Sequence, residues 1–233
     1  GVEPGHPDAS TDVEPGRIVV TVPADLTARL HERAAARGVT LNAIVTTAIS
    51  VVTGYHAGTA DVVLGTTVAG RPGELVGIDE TIGLFLNTVP VRVDLSPART
   101  AADVMASVGE QRVSMMRHDH LGLGQIQRTA MESGGALFDS LLVLQNFLDD
   151  DTFTDLEAAH GIVRVDYHDT THFPLTWVLT PGRELTVKLE HRVVTAERAR
   201  QMVDQLLTAL AALGDSTDTA IGAIDLVESC RRA

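Results

Sequence analysis

Between Leu41 and Thr53 the chain places Leu41, Ile44, Val45, Ala48, Ile49 and Val52 at helical spacing with little polar surface between them. A helix that is apolar on nearly every side has to be enclosed by the rest of the fold. Thr40 is placed to cap its start and Gly54 to end it. The segments around it supply candidate layers. Arg17 to Val22 is a short strand rich in β-branched residues, ended by Pro23. Ala24 to Arg37 reads as an amphipathic helix, with Leu26 and Leu30 one turn apart, charged residues on other faces and Gly38 at its C-cap.

Downstream, Asp61 to Val68 is an apolar strand running into the turn Ala69-Gly70-Arg71-Pro72-Gly73. The stretch Ile82 to Val93 carries most of the functional interest. Its second half alternates Val89, Val91 and Val93 with Pro90, Arg92 and Asp94, a strand with two different faces, and Pro90 favours a strand start or an edge. Its first half holds Asn87 and Thr88, polar groups within an apolar run that need partners if buried. They are either structural anchors or the lining of a cavity.

Thr100 caps a helix whose inward positions are Val104, Met105, Val108 and Met115, and Arg117-His118-Asp119-His120 connects it to a shorter helix around Gly124 to Met131. Phe138 to Phe147 reads as a buried strand. Ile162 to Tyr167, Phe173 to Leu179 and Glu184 to Glu190 read as further strands, forming an antiparallel meander. Thr195 caps a last amphipathic helix with Met202, Val203, Leu206, Leu207, Leu210 and Leu213 inward, and Ile221 to Val227 closes the chain. Helices and strands intermix without regular βα alternation, so the expected fold class is α/β, a mixed-sheet α/β sandwich. Residues 1–16, rich in proline and glycine, read as a flexible tail or linker, and residues 17–233 as one lobe. The start at Gly1 without a methionine suggests a processed product or a fragment.

A net charge of −13, spread as single acids along 233 residues, disfavours nucleic acid and anionic membranes as partners. The single cysteine, Cys230, excludes an internal disulfide and fits a reducing compartment. With no apolar run long enough to span a bilayer, and first residues that lack the basic-then-apolar order of a signal peptide, the expected location is cytoplasmic. Neither a phosphate-binding P-loop nor a dinucleotide-binding glycine motif is present. His118 with His120, and His168 with His172, have weak metal-ligand spacing and no nearby cysteine, so a solvated connector is the preferred reading and no metal is expected. Cys230 reads as incidental rather than as a nucleophile.

Four segments occur in an order that resembles the C-terminal lobe of a condensation domain of a nonribosomal peptide synthetase. They are Gly38-Val39-Thr40-Leu41-Asn42; Asp61-Val62-Val63-Leu64-Gly65 with Gly70-Arg71-Pro72; Ile82-Gly83-Leu84-Phe85-Leu86-Asn87-Thr88; and Leu137-Phe138-Asp139-Ser140, which precedes Gln145-Asn146-Phe147. The resemblance implies one lobe of a chloramphenicol acetyltransferase-like fold. It further implies amide-bond formation between aminoacyl and peptidyl thioesters on carrier proteins, whose phosphopantetheine arms meet in a tunnel between two lobes. The chain itself would bind no cofactor directly. The family's active-site motif, two adjacent histidines followed four residues later by Asp-Gly, belongs to the first lobe, and no adjacent histidine pair occurs in this sequence. The isolated chain is therefore expected to be inactive, with the first lobe and carrier proteins as its partners.

The resemblance makes Arg71, Gly83, Phe85, Asn87 and Thr88 candidates for the tunnel or carrier-arm wall. Asn87 is either a supporting amide beside the reaction centre or a buried amide satisfying backbone groups. Gly83 either admits a pantetheine arm or meets a turn's need for positive φ. Arg71 faces a phosphate or is an exposed turn residue, and Asp139 makes an inter-lobe contact or a structural one. Two other functions stay open: a non-catalytic module that docks a carrier protein or another domain, and a self-contained acyltransferase using coenzyme A with His168 or His172 as its base.

Overall fold

In the computed structural model the residues described are 14–69, 83, 85–130, 135–145, 171–182 and 184–226. Strand β1 (Gly16–Thr21) leads through Pro23 into helix α1 (Ala24–Arg37), and α2 (Leu41–Ala57) follows after Gly38. Next come β2 (Asp61–Ala69), β3 (Leu86–Asp94) and α3 (Ala101–Met115). A single 3-10 turn, Met116–His118, connects α3 to α4 (Leu123–Ala130). The chain then forms β4 (Ser140–Leu144), β5 (Leu175–Thr180), β6 (Thr186–His191) and α5 (Ala196–Asp215).

The strands make one sheet in the order β1-β6-β5-β4-β2-β3. The β2–β4 and β4–β5 pairs are parallel and the other three antiparallel, which is the mixed sheet expected. Buried residues of α1, α2, α3 and α5 form one core with Val62, Leu64, Val91, Val93, Leu142, Trp177, Leu179, Val187 and Leu189. These four helices therefore share one face of the sheet, and α2 sits among α1, α3, α5 and β2, as its apolar circumference requires. Among the described residues no single helix is long and apolar enough to cross a membrane.

The local signals hold at most helix ends. Thr40 Oγ1 accepts the Ala43 amide, Thr195 Oγ1 accepts the Arg198 amide, and Thr100 with Asp103 forms a reciprocal capping box. Gly54 does not end α2, contrary to the expectation from its place in the sequence. The helix continues to Ala57 and closes at Gly58, in the left-handed region at φ 66°. Gly54 is small for a packing reason: a Cβ there would lie 2.7 Å from the Thr59 carbonyl and 2.9 Å from Leu95 Cδ1. Of the strand expected over Phe138 to Phe147, Ser140–Leu144 forms β4, Phe138 and Asp139 precede the ladder, and residues 146–147 lie outside the described residues. The turn after Ala69 and the strand expected over Ile162 to Tyr167 lie outside the described residues.

β3 is an edge strand, one of the two places Pro90 favours. The Arg92 N–H donates to Gln111 Oε1 at 2.9 Å, and Gln111 Nε2 donates to the Arg92 carbonyl at 2.8 Å, so an α3 side chain stands where another strand would be. Both backbone groups of Arg92 thus face outward, and by strand alternation so does the nitrogen of Pro90, where a missing N–H loses no ladder bond.

Candidate functional site

The stretch that organises the candidate site enters the sheet as β3, with Asn87 opposite Val68 and Thr88 opposite Thr67 of β2. Successive strand residues point to opposite faces. Asn87 has the parity of the core residues Val89, Val91 and Val93, whereas Thr88 and Thr67 face away from the core helices. Asn87 and Thr88 are both half-buried.

The Asn87 amide is fully engaged as a donor. Nδ2 gives one hydrogen bond to the Asp119 carbonyl and one to the Leu121 carbonyl, both at 2.7 Å. Two carbonyl acceptors fix which end of the amide carries the nitrogen. Asp119 is itself buried, at 8% exposure, and takes both prongs of Arg112: Nη1 to Oδ1 at 2.8 Å and Nη2 to Oδ2 at 2.6 Å. Burying a carboxylate requires such compensation, and the guanidinium fork supplies charge and two donors at once. The connector between α3 and α4 is thereby tied to the start of β3. Sequence reasoning misses Arg112 and treats Asp119 as part of a solvated connector. The pair's only sequence sign is an arginine near the end of α3 and a single acid seven residues later.

A second cluster lies on the face of the sheet opposite the core helices. Gly65 of β2 stands opposite Pro90 on one side and Leu141 on the other, and the ring of Phe138 fills the space above it. A Cβ on Gly65 would collide with the Phe138 ring edge, lying 2.6 Å from Cζ. Phe138 stacks on Phe173 with ring centroids 5.5 Å apart, and His172 stacks on Phe173 at 4.4 Å. Asp139 is exposed; its Oδ1 accepts from Ser140 Oγ at 3.2 Å, and its carbonyl accepts the Leu175 amide at 3.3 Å, extending the β4–β5 ladder.

The remaining candidates divide between those the structure places and those it does not. Gly83 is exposed and does not have positive φ, which removes the turn explanation; a Cβ there would meet the half-buried Phe85 ring at 3.1 Å. Leu86 is half exposed, at 52%. Arg71, His168 and Cys230 lie outside the described residues. His118 and His120 are exposed, and among the described residues no group of three His, Cys, Asp or Glu side chains could hold a metal ion.

A mixed sheet covered by helices on one face is a two-layer α/β sandwich, and its structural neighbours are condensation domains of the chloramphenicol acetyltransferase-like fold. Solved structures of that class superpose on it. The first condensation domain of the CDA synthetase matches with a TM-score of 0.71 at 21% identity, over 93% of this chain and 50% of that one. A holo four-domain nonribosomal peptide synthetase bound to AMP and glycine matches with a TM-score of 0.81 at 16% identity, over 94% of this chain and 18% of that one. The X-domain from teicoplanin biosynthesis, solved with OxyB, gives 0.73 at 19% identity, over 92% of this chain and 48% of that one. In sequence the chain is 33% identical to a linear gramicidin synthase of Brevibacillus parabrevis over 194 residues, 81% of this chain and 2% of that protein. It is 37% identical to vanchrobactin synthetase VabF of Vibrio anguillarum over 153 residues, 64% of this chain and 5% of that protein. The Condensation domain family model matches residues 4–233, and the chain belongs to that family. It spans about half the length of the solved condensation domain and a few per cent of the synthetases it matches.

Proposed function

We propose that this chain is the C-terminal, acceptor-side lobe of a nonribosomal peptide synthetase condensation domain, and that it forms amide bonds only together with a first lobe. One observation carries the reading. The family model extends over residues 4–233, yet the chain spans 50% of a solved condensation domain and its sequence holds no adjacent histidine pair. In the reaction the amine nitrogen of an aminoacyl thioester attacks the carbonyl of an acyl or peptidyl thioester. A C–N bond forms, the C–S bond breaks, and the proton leaving nitrogen is taken up as the donor thiol is released. The group that would move that proton belongs to the first lobe.

This chain's part is to shape the wall. Thr88 and Phe85, with Gly83 and Arg71 before them, lie along the stretch that would receive a carrier-bound phosphopantetheine arm, and Asn87 supports it from the core side. Asp139 meets the other lobe or serves its local turn. Gly16 opens β1, so the lobe takes in one residue more than the sequence pattern suggests; the residues before it act as a linker, and the synthetase works in the cytoplasm. Pairing the chain with a first lobe that carries the histidine motif, and supplying loaded donor and acceptor carrier proteins, should give the amide product; an inert pair would overturn the proposal.

A second reading draws on the absent histidine pair and on the fold shared with an X-domain solved together with OxyB. On this reading the chain docks a carrier protein or a second domain without doing chemistry. Titration with phosphopantetheinylated carrier protein separates the two: saturable binding without product from the reconstituted pair supports docking alone.

A further inference from the structure

The start of β3 is exposed to a mechanical problem that the structure solves in an identifiable way. Leu86, Asn87 and Thr88 belong to an edge strand, paired with Ala69, Val68 and Thr67 of β2. The Gln111 brace grips β3 further along, at Arg92. An edge-strand end held from one side frays at little cost in free energy. On its other side this end is gripped by the Asn87 amide, whose two donor bonds end on the backbone of the α3–α4 connector. That connector is held in turn by the Arg112–Asp119 fork, which joins the buried Asp119 carboxylate to a half-buried arginine on α3.

We propose that Arg112 and Asp119 are positioning residues for the carrier-arm wall, acting through Asn87. The three side chains form a clamp from α3, through the connector, to the first residues of β3. Asn87 then serves the wall by fixing the backbone from which Thr88 and Phe85 project, and does not itself touch the arm. Its side chain leaves the strand on the core face, opposite to Thr88, and both its donor hydrogens are used internally. The proposal rests on the reading of the chain as a condensation-domain lobe, but the clamp has a signature that does not depend on it.

Two measurements test it. In the chain alone, hydrogen exchange is followed at the backbone amides of Asn87 and Val89, which face β2 because Arg92 faces outward. Asp119→Ala should raise exchange at least about 10-fold at these positions and at the connector, with little change in β5 and β6. Unchanged exchange, or an equal rise throughout the sheet, would overturn the clamp. In the chain paired with a first lobe, kcat/KM for amide formation is measured well below the melting temperature for Asn87→Ala, Asp119→Ala and the double variant. A wall displaced by about an ångström costs on the order of 100-fold in rate, so each single variant should lose about 10- to 100-fold. The double variant should be no worse than Asn87→Ala, because residues acting through one another are not additive, and Arg112→Lys should retain more activity than Arg112→Met. Losses that multiply would overturn the assignment, as would full activity in Asp119→Ala. If the wild-type pair makes no amide product, the function proposed above fails while the exchange result still decides the clamp.

Discussion

Replacing Gly65 by alanine asks the structure for room it does not have. The new methyl would collide with Cε2 of Phe138 and sit 2.6 Å from its Cζ and 2.8 Å from its Cδ2. Carbon atoms pack at about 3.5–4.0 Å, so the ring has to retreat by about an ångström or more. Phe138 is 7% exposed and is backed by Phe173, which is stacked in turn by His172. Overpacking of this kind costs about 1–3 kcal/mol, and at about 2–4 °C per kcal/mol for a chain of this size the melting temperature should fall by about 2–12 °C. Phe138→Ala alone should cost about 3–5 kcal/mol through the cavity it leaves. In the double variant the alanine methyl occupies part of that cavity, so equilibrium urea unfolding should show a total at least about 1 kcal/mol below the sum of the singles, the coupling expected of side chains in contact. A neutral Gly65→Ala, or strictly additive losses, would refute the packing argument.

Other expectations follow from single contacts. Arg33 reaches from α1 to the end of α5, donating to the Gly214 carbonyl at 3.1 Å and the Asp215 carbonyl at 2.8 Å. Arg33→Met should therefore lower urea-unfolding stability by about 1 kcal/mol. Burial holds the His56 imidazole below its ordinary range, against the opposing hydrogen bond to Gln205, and nearby Arg198 lowers it further. The unfolded chain therefore binds the proton more readily, and stability should fall as pH drops through the ordinary histidine range, while above that range both states are neutral and the term vanishes. His56→Gln should flatten that part of a stability-versus-pH curve; an unchanged slope between about pH 7 and about pH 5 would contradict the assignment.

Most of the layer architecture was legible because it follows local rules. The left-handed glycine after α1, the threonine caps of α2, α3 and α5, and the alternation Val89-Val91-Val93 are short-range signals. Gly54 shows where such rules stop: a glycine near a helix end resembles a stop, but the close approach of Thr59 and Leu95 that demands it appears only once the chain has folded back. Gly65 is the same case, since its partner Phe138 lies in a segment far along the chain. Asn87 and Thr88 could be singled out in the sequence as polar groups that need partners, but where their side chains go could not. Asn87 and Thr88 are adjacent letters, and only the sheet sends them to opposite faces and hands Asn87 to Asp119 and Leu121. The Arg112–Asp119 fork carries no motif, because its geometry depends on how the chain turns after α3.

Central to the proposed function is a lobe that would shape a reaction site while another lobe supplies the proton-transfer group. The most direct measurement is the intact mass of a loaded acceptor carrier protein after incubation with a loaded donor carrier and this chain, with and without a first lobe bearing the histidine pair. The predicted result is transfer of the donor group onto the acceptor only when both lobes are present. Robust transfer by this chain alone would contradict it.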